Sequence, residues 1–165
     1  VGMVFQRPTP FPAMSIRDNV LAGLRLAGVE HEDEDALVGE LLATTGLWES
    51  VRHRLHQRPA SLNLGERQLL CLARALALQP EVLLLDEPTA LLDPVATGHL
   101  ERVVEALRER CCVVLVTHSM QQAGRVADDT AFLLDGAVVE YAETHRLFTA
   151  PRDPRTEAYL TGKPG

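Results

Sequence analysis

The stretch Val82-Leu83-Leu84-Leu85-Asp86-Glu87-Pro88-Thr89 narrows the choice of fold more than any other in this chain. Its aliphatic run has no polar alternation, which suits a strand buried on both faces in the middle of a parallel sheet. A parallel sheet with crossover helices places the chain in the α/β class. Asp86 and Glu87 close the run at its carboxyl end, where open α/β sheets bind their ligands. Successive strand side chains point to opposite faces, so one carboxylate can hold a metal while its neighbour addresses a water. Pro88 has no N–H to give a ladder and ends the strand. Read without its neighbours, the same pattern is a core strand followed by a solvated acidic turn.

The neighbours supply the discrimination. Residues 1 to 5 read as a short strand, followed by Gln6 and the loop Arg7-Pro8-Thr9-Pro10-Phe11-Pro12, too rich in proline for a helix. Ser15 is placed to cap a helix running to about Ala27, with Asp18 in its first turn. Leu62-Asn63-Leu64-Gly65-Glu66-Arg67-Gln68 opens another helical pattern that continues through Ala73-Arg74-Ala75-Leu76 to about Leu78. Asn63 can cap it, and the exposed amides of a helix start suit a phosphate. After the acidic pair, Asp93 and Pro94 read as cap and first residue of a helix to about Arg110. Cys111 to Val116 predicts a further buried strand, with His118 beyond its carboxyl end. Taken singly, Gln6 is a polar loop residue, Asp93 a cap and His118 a structural histidine.

Taken together and in this order, these segments resemble the ATP-binding subunit of an ABC transporter. Gln6 matches the Q-loop, residues 62–66 the signature, Val82 to Glu87 the Walker B strand, Asp93 the D-loop and His118 the H-loop. Four or five ordered motifs at compatible spacing are far more specific than any one of them. The resemblance implies that Asp86 holds Mg2+ through water and that Glu87 orients or deprotonates the attacking water. It also implies that His118 and Gln6 address the γ-phosphate of ATP, Gln6 also the metal. Asn63, Gly65 and Glu66 would face ATP on a second ATPase subunit, and Asp93 would add a contact across that dimer. The signature departs from Leu-Ser-Gly-Gly-Gln: only Leu62 and Gly65 are kept. Leu64, a γ-branched residue where the family has glycine, predicts impaired transition-state contacts.

The likeness extends to the phosphate-import subfamily through Phe5 to Pro12 with Ser15 to Val20, through Thr117 to Ala123, and through Leu147 to Asp153 with Thr156 to Gly162. It implies a peripheral protein at the cytoplasmic face of a membrane, docked through the loop after Gln6 on integral permease subunits of a phosphate importer. The fold it implies is a partial P-loop NTPase: a helical subdomain over about 15–80, a core over 81–141 and a helical tail over 142–165. Within that core Asp135-Gly136 predicts a hairpin turn.

Composition limits the alternatives. With 23 acidic and 16 basic residues among 165, the net charge of −7 disfavours nucleic acid as a partner. The three cysteines, Cys71, Cys111 and Cys112, lack CxxC spacing and read as buried thiols in a reducing compartment. The acidic cluster from Glu30 to Asp35 reads as charge at a helix start rather than a metal site with His31. Trp48 is expected to pack among the helices. No apolar run approaches the ~20 residues of a membrane span, and no signal peptide is visible.

Val1 stands at the head of a strand, and the chain reads as lacking the preceding portion of such a domain. Nowhere does it contain the G-x-x-x-x-G-K-[ST] pattern that cradles phosphates; Gly162-Lys163 is followed by Pro164. The expectation is weak or absent ATP binding, no hydrolysis and self-association for the chain alone. A non-catalytic module that docks a membrane protein is the alternative. A chromosome-maintenance ATPase is disfavoured by the proline-rich loop and the lack of heptads.

Overall fold

Three short parallel strands carry the first part of the chain: β1 (Gly2–Val4), β2 (Val82–Asp86) and β3 (Cys112–Val116), in the order β1-β2-β3. The computed structural model describes residues 1–162; Lys163, Pro164 and the end of the expected 142–165 tail lie outside the described residues. Two compact units result, Val1–Val116 and Thr117–Gly165.

In the first unit, helices α1 (Ile16–Ala27), α2 (Glu34–Thr44), α3 (Trp48–Val51), α4 (Leu64–Leu76) and α5 (Pro94–Leu107) join the sheet in one apolar core. Local signals set the ends of α1. The Ser15 hydroxyl accepts from the Asp18 N–H, and Gly28 closes the helix at φ 65°, a conformation that favours glycine. Asp33 caps α2, and Arg17 reaches back to Glu34 at 2.9 Å and Asp35 at 2.8 Å. Part of the acidic cluster therefore neutralises α1, while His31 Nδ1 accepts from the Asp33 N–H. The Asp18 carboxyl is held below its ordinary range, first by the Ser15 hydroxyl and then by the Arg25 guanidinium. A lowered folded-state value means that this stabilisation is present above the usual carboxylate range and fades as pH falls through the lowered value. Trp48 is partly buried against the core.

The sheet differs from the expectation of burial on both faces. Leu83 and Leu85 are 0% and 1% exposed, but Val82, Leu84 and Asp86 are only half-buried. β3, expected as a buried strand, exposes Cys112, Val114 and Val116. The register explains both corrections. Val4, Leu85 and Leu115 share one face, covered by the helices of this unit, whereas Met3, Leu84 and Val114 share the other.

The second unit contains α6 (Met120–Val126), the antiparallel pair β4 (Asp129–Leu134) and β5 (Ala137–Glu143), α7 (Thr144–Thr149) and α8 (Pro154–Thr161). Asp135 and Gly136 have φ of 51° and 78°, as an Asp-Gly hairpin turn requires. Phe132 packs on Tyr159 with ring centroids 4.8 Å apart. Asp153 caps α8, and the Arg155 guanidinium holds its carboxyl down to about 2. No described helix is long and apolar enough to cross a membrane.

One-sided burial has a measurable consequence. In urea unfolding, Leu83→Ala should cost about 3 kcal/mol, and Leu84→Ala about 1 kcal/mol. Equal losses would mean that both faces are covered.

Candidate functional site

The carboxyl ends of β1 and β2 bring the first candidates together. Val4 lies opposite Leu85 in the parallel ladder, so Phe5 and Gln6 leave the sheet at the end where β2 delivers Asp86 and Glu87. Asp86, opposite Val116, is half-buried on the same face as Leu84. Its carboxylate has no hydrogen-bond or ion-pair partner among the described residues, which leaves its oxygens available to a cation or its waters. Gln6 is exposed.

Glu87 does not continue the strand's alternation. Its backbone sits at φ 43°, in the left-handed region, while its N–H donates to the Val116 carbonyl at 2.9 Å. The Glu87 and Thr89 carbonyls then accept from Ala90 and Leu92, which folds the chain toward α5. A non-glycine residue in this conformation costs roughly 1–2 kcal/mol, and such costs are concentrated at functional positions. Pleat reasoning from the sequence could not place this carboxylate, because the pleat ends at Asp86.

A buried side chain ties the two strand ends. Gln68 of α4 donates from Nε2 to the Phe5 carbonyl at 2.9 Å and to the Pro88 carbonyl at 3.1 Å. Further along α4, Arg74 donates to the Thr9 carbonyl at 2.9 Å and lies 4.6 Å from the centre of the Phe11 ring. Asn19, fully buried, accepts from the Phe11 N–H at 2.7 Å and donates to its carbonyl at 3.1 Å. The proline-rich loop is thus held by two side chains, Arg74 and Asn19, and the Phe5 carbonyl before it by a third, Gln68, none of which the motif pattern singled out. The available signal was polarity: Gln68 opens a run, Leu69 to Leu72, that is otherwise apolar.

The start of α4 is built by a reciprocal cap. Asn63 Oδ1 accepts from the Glu66 N–H, and Glu66 Oε2 accepts from the Asn63 N–H, both at 2.9 Å. The other Glu66 oxygen accepts from Ser50 Oγ and from Arg54 Nη2, the latter at 3.2 Å. Both oxygens of Glu66 are therefore engaged within this unit. Gly65 has an internal reason to be glycine, since a Cβ there would lie 3.1 Å from Ala96 Cβ of α5. Leu64 is 40% exposed at the first helical position. Asp93 caps α5, accepting from the Val95 and Ala96 N–H groups at 2.9 Å each.

His118 belongs to the second unit, two residues beyond β3, and is exposed. Its turn is ordered by the Thr117 hydroxyl, which accepts from the Ser119 N–H at 3.0 Å, and by Ser119 capping α6. Among the described residues no group of three or more His, Cys, Asp or Glu could hold a metal by itself. A cation at Asp86 would therefore need water or an anionic ligand to complete its shell.

The strain at Glu87 can be isolated with two substitutions. Glu87→Gly should be about 1 kcal/mol more stable to urea than Glu87→Ala, since only glycine adopts the observed φ freely. Equal stabilities would show that the turn carries no strain.

A sequence profile of the ABC transporter family matches residues 1–90. The phosphate import ATP-binding protein PstB of Koribacter versatilis is 51% identical over 167 residues, covering 100% of this chain and 66% of that protein. The protein of the same name from Shewanella denitrificans is 50% identical over 166 residues, covering 100% of this chain and 61% of the relative. The chain thus spans just under two thirds of the length of the curated relatives it matches.

Proposed function

Because the chain belongs to the ABC transporter family, we propose that it forms part of the ATP-binding subunit of an inorganic phosphate importer, which couples ATP hydrolysis to phosphate uptake. The observation that carries this reading is the delivery of Asp86, Glu87 and Gln6 to one end of a parallel sheet. The choice of phosphate as cargo is supported by the names of the two relatives, each about half identical to the chain.

The donor set suits Mg2+ bound with a nucleotide. Asp86 offers a carboxylate that no described residue pairs, and Mg2+ commonly takes one or two carboxylates along with water and phosphate oxygens. When bound, Mg2+ neutralises phosphate charge, the main demand of phosphoryl transfer besides positioning. Asp86 would hold it, with Gln6 close to the metal and γ-phosphate. Glu87 would orient or deprotonate the attacking water. His118, assigned by its position after β3, would contact the γ-phosphate.

The start of α4 would face the nucleotide of a second ATPase subunit through its amides. Asn63 and Glu66 keep that turn in shape, and Gly65 permits the approach of α5. Asp93, which fixes the start of α5, would contribute across the same dimer. The loop after Gln6, braced by Arg74 and Asn19, would dock on permease subunits at the cytoplasmic face of the membrane, making the protein peripheral.

The test is made on the intact protein. Glu87→Gln should lower ATP turnover at least 100-fold, in the range for a lost general base, while nucleotide still binds. Asp86→Asn should weaken binding of ATP in the presence of Mg2+. Turnover by Glu87→Gln close to that of the unsubstituted protein would overturn the assignment.

A further inference from the structure

We propose that Gln68 is a positioning residue for hydrolysis, a clamp whose single amide nitrogen holds the Phe5–Gln6 and Pro88–Thr89 peptides in fixed relation. This rests on the ATPase reading above. Gln68 is fully buried, and its two amide hydrogens are donated to carbonyls 63 and 20 residues away in sequence. Each clamped peptide adjoins a candidate residue: Gln6 follows one carbonyl, and Glu87 precedes the proline that carries the other.

The clamp acts where the chain is poor in backbone donors. Beyond β1 the loop has prolines at 8, 10 and 12, which give no N–H, and Pro88 gives none beyond β2. The Glu87 N–H is already committed to Val116 on the far side of β2. Gln68 supplies a cross-link on the β1 side, and Val116 one on the β3 side. The orientation of the amide follows from its partners, since two carbonyls demand two donors.

That orientation leaves Gln68 Oε1 buried with no donor among the described residues. A side chain chosen for packing alone would avoid an orphan acceptor, and the next four residues of α4 are apolar. The polar group is retained at a cost in stability, as expected where position matters more than packing. The same helix starts with the Asn63–Glu66 cap and further along holds Thr9 and Phe11 through Arg74. α4 thereby connects its own N-terminal turn, the strand ends and the proline-rich loop through rigid backbone.

The test uses Gln68→Met in the intact protein, which keeps side-chain length and removes both donors together with the orphan acceptor. The unfolding midpoint should change little, since removal of the orphan acceptor offsets the loss of a donor to the two carbonyls. Amide exchange should quicken in both segments, 5–8 and 87–92, and kcat for ATP should fall by about tenfold or more with KM changed less than about twofold. Exchange that rises in one segment or neither, or a kcat within about twofold of the unsubstituted protein, overturns the proposal. Should Gln68→Met fail to fold, Gln68→Asn, whose shorter amide cannot reach both carbonyls, is held to the same results. If the unsubstituted protein hydrolyses no ATP, the preceding functional reading has failed, and exchange in the two segments alone decides whether the clamp exists.

Discussion

Parallel strands that stop must satisfy the main-chain donors and acceptors freed at their ends, and the rest of this site depends on how that is done. At the carboxyl end of β2 the Glu87 N–H goes to Val116, and the Pro88 carbonyl goes to Gln68. Gln68 also takes the Phe5 carbonyl where β1 ends. Three strand ends are thus joined by hydrogen bonds that leave the Asp86 carboxylate without a partner among the described residues and carry Glu87 in a left-handed backbone. Such ties would suit a chemical site, where small misplacements of a catalytic group are costly.

Helix starts solve the complementary problem of unpaired N–H groups. Asn63 and Glu66 close α4 reciprocally, and Asp93 closes α5 with one oxygen shared by two amides. Gly65 brings these two starts together, since any side chain there would press on Ala96. The departures from the usual signature are therefore consistent with local structure. Glutamate at position 66 serves a cap and pairs with Arg54, and Leu64 points no polar group at anything.

What could be read from the sequence was local. Caps at Ser15, Asn63 and Asp93 act over two or three residues, and the Asp-Gly hairpin turn is closed by its own backbone. The apolar run before Asp86 marked the central strand because strand and core composition coincide there. Its one-sided burial was not legible, since an aliphatic residue reads alike whether or not its face is covered. Neither was the φ of Glu87, whose N–H is bonded to Val116 of another strand. Gln68 was hidden for the same reason: its partners lie 63 and 20 residues away, beyond any periodic pattern. The pairing of Glu66 with Arg54 was not legible either, since it required knowing that α4 starts beside residues 50–54.

The central claim is that the acid-bearing end of β2 and Gln6, two residues beyond β1, share one metal–nucleotide environment. Paramagnetic broadening in the intact protein addresses it most directly, with Mn2+ in place of Mg2+ and ATP present. The account predicts that the amide signals of Gln6, Asp86 and Glu87 broaden first and together, and only when nucleotide accompanies the ion. Broadening that spares Asp86 and Glu87, or that is centred on the acidic cluster at residues 30–35, would contradict it.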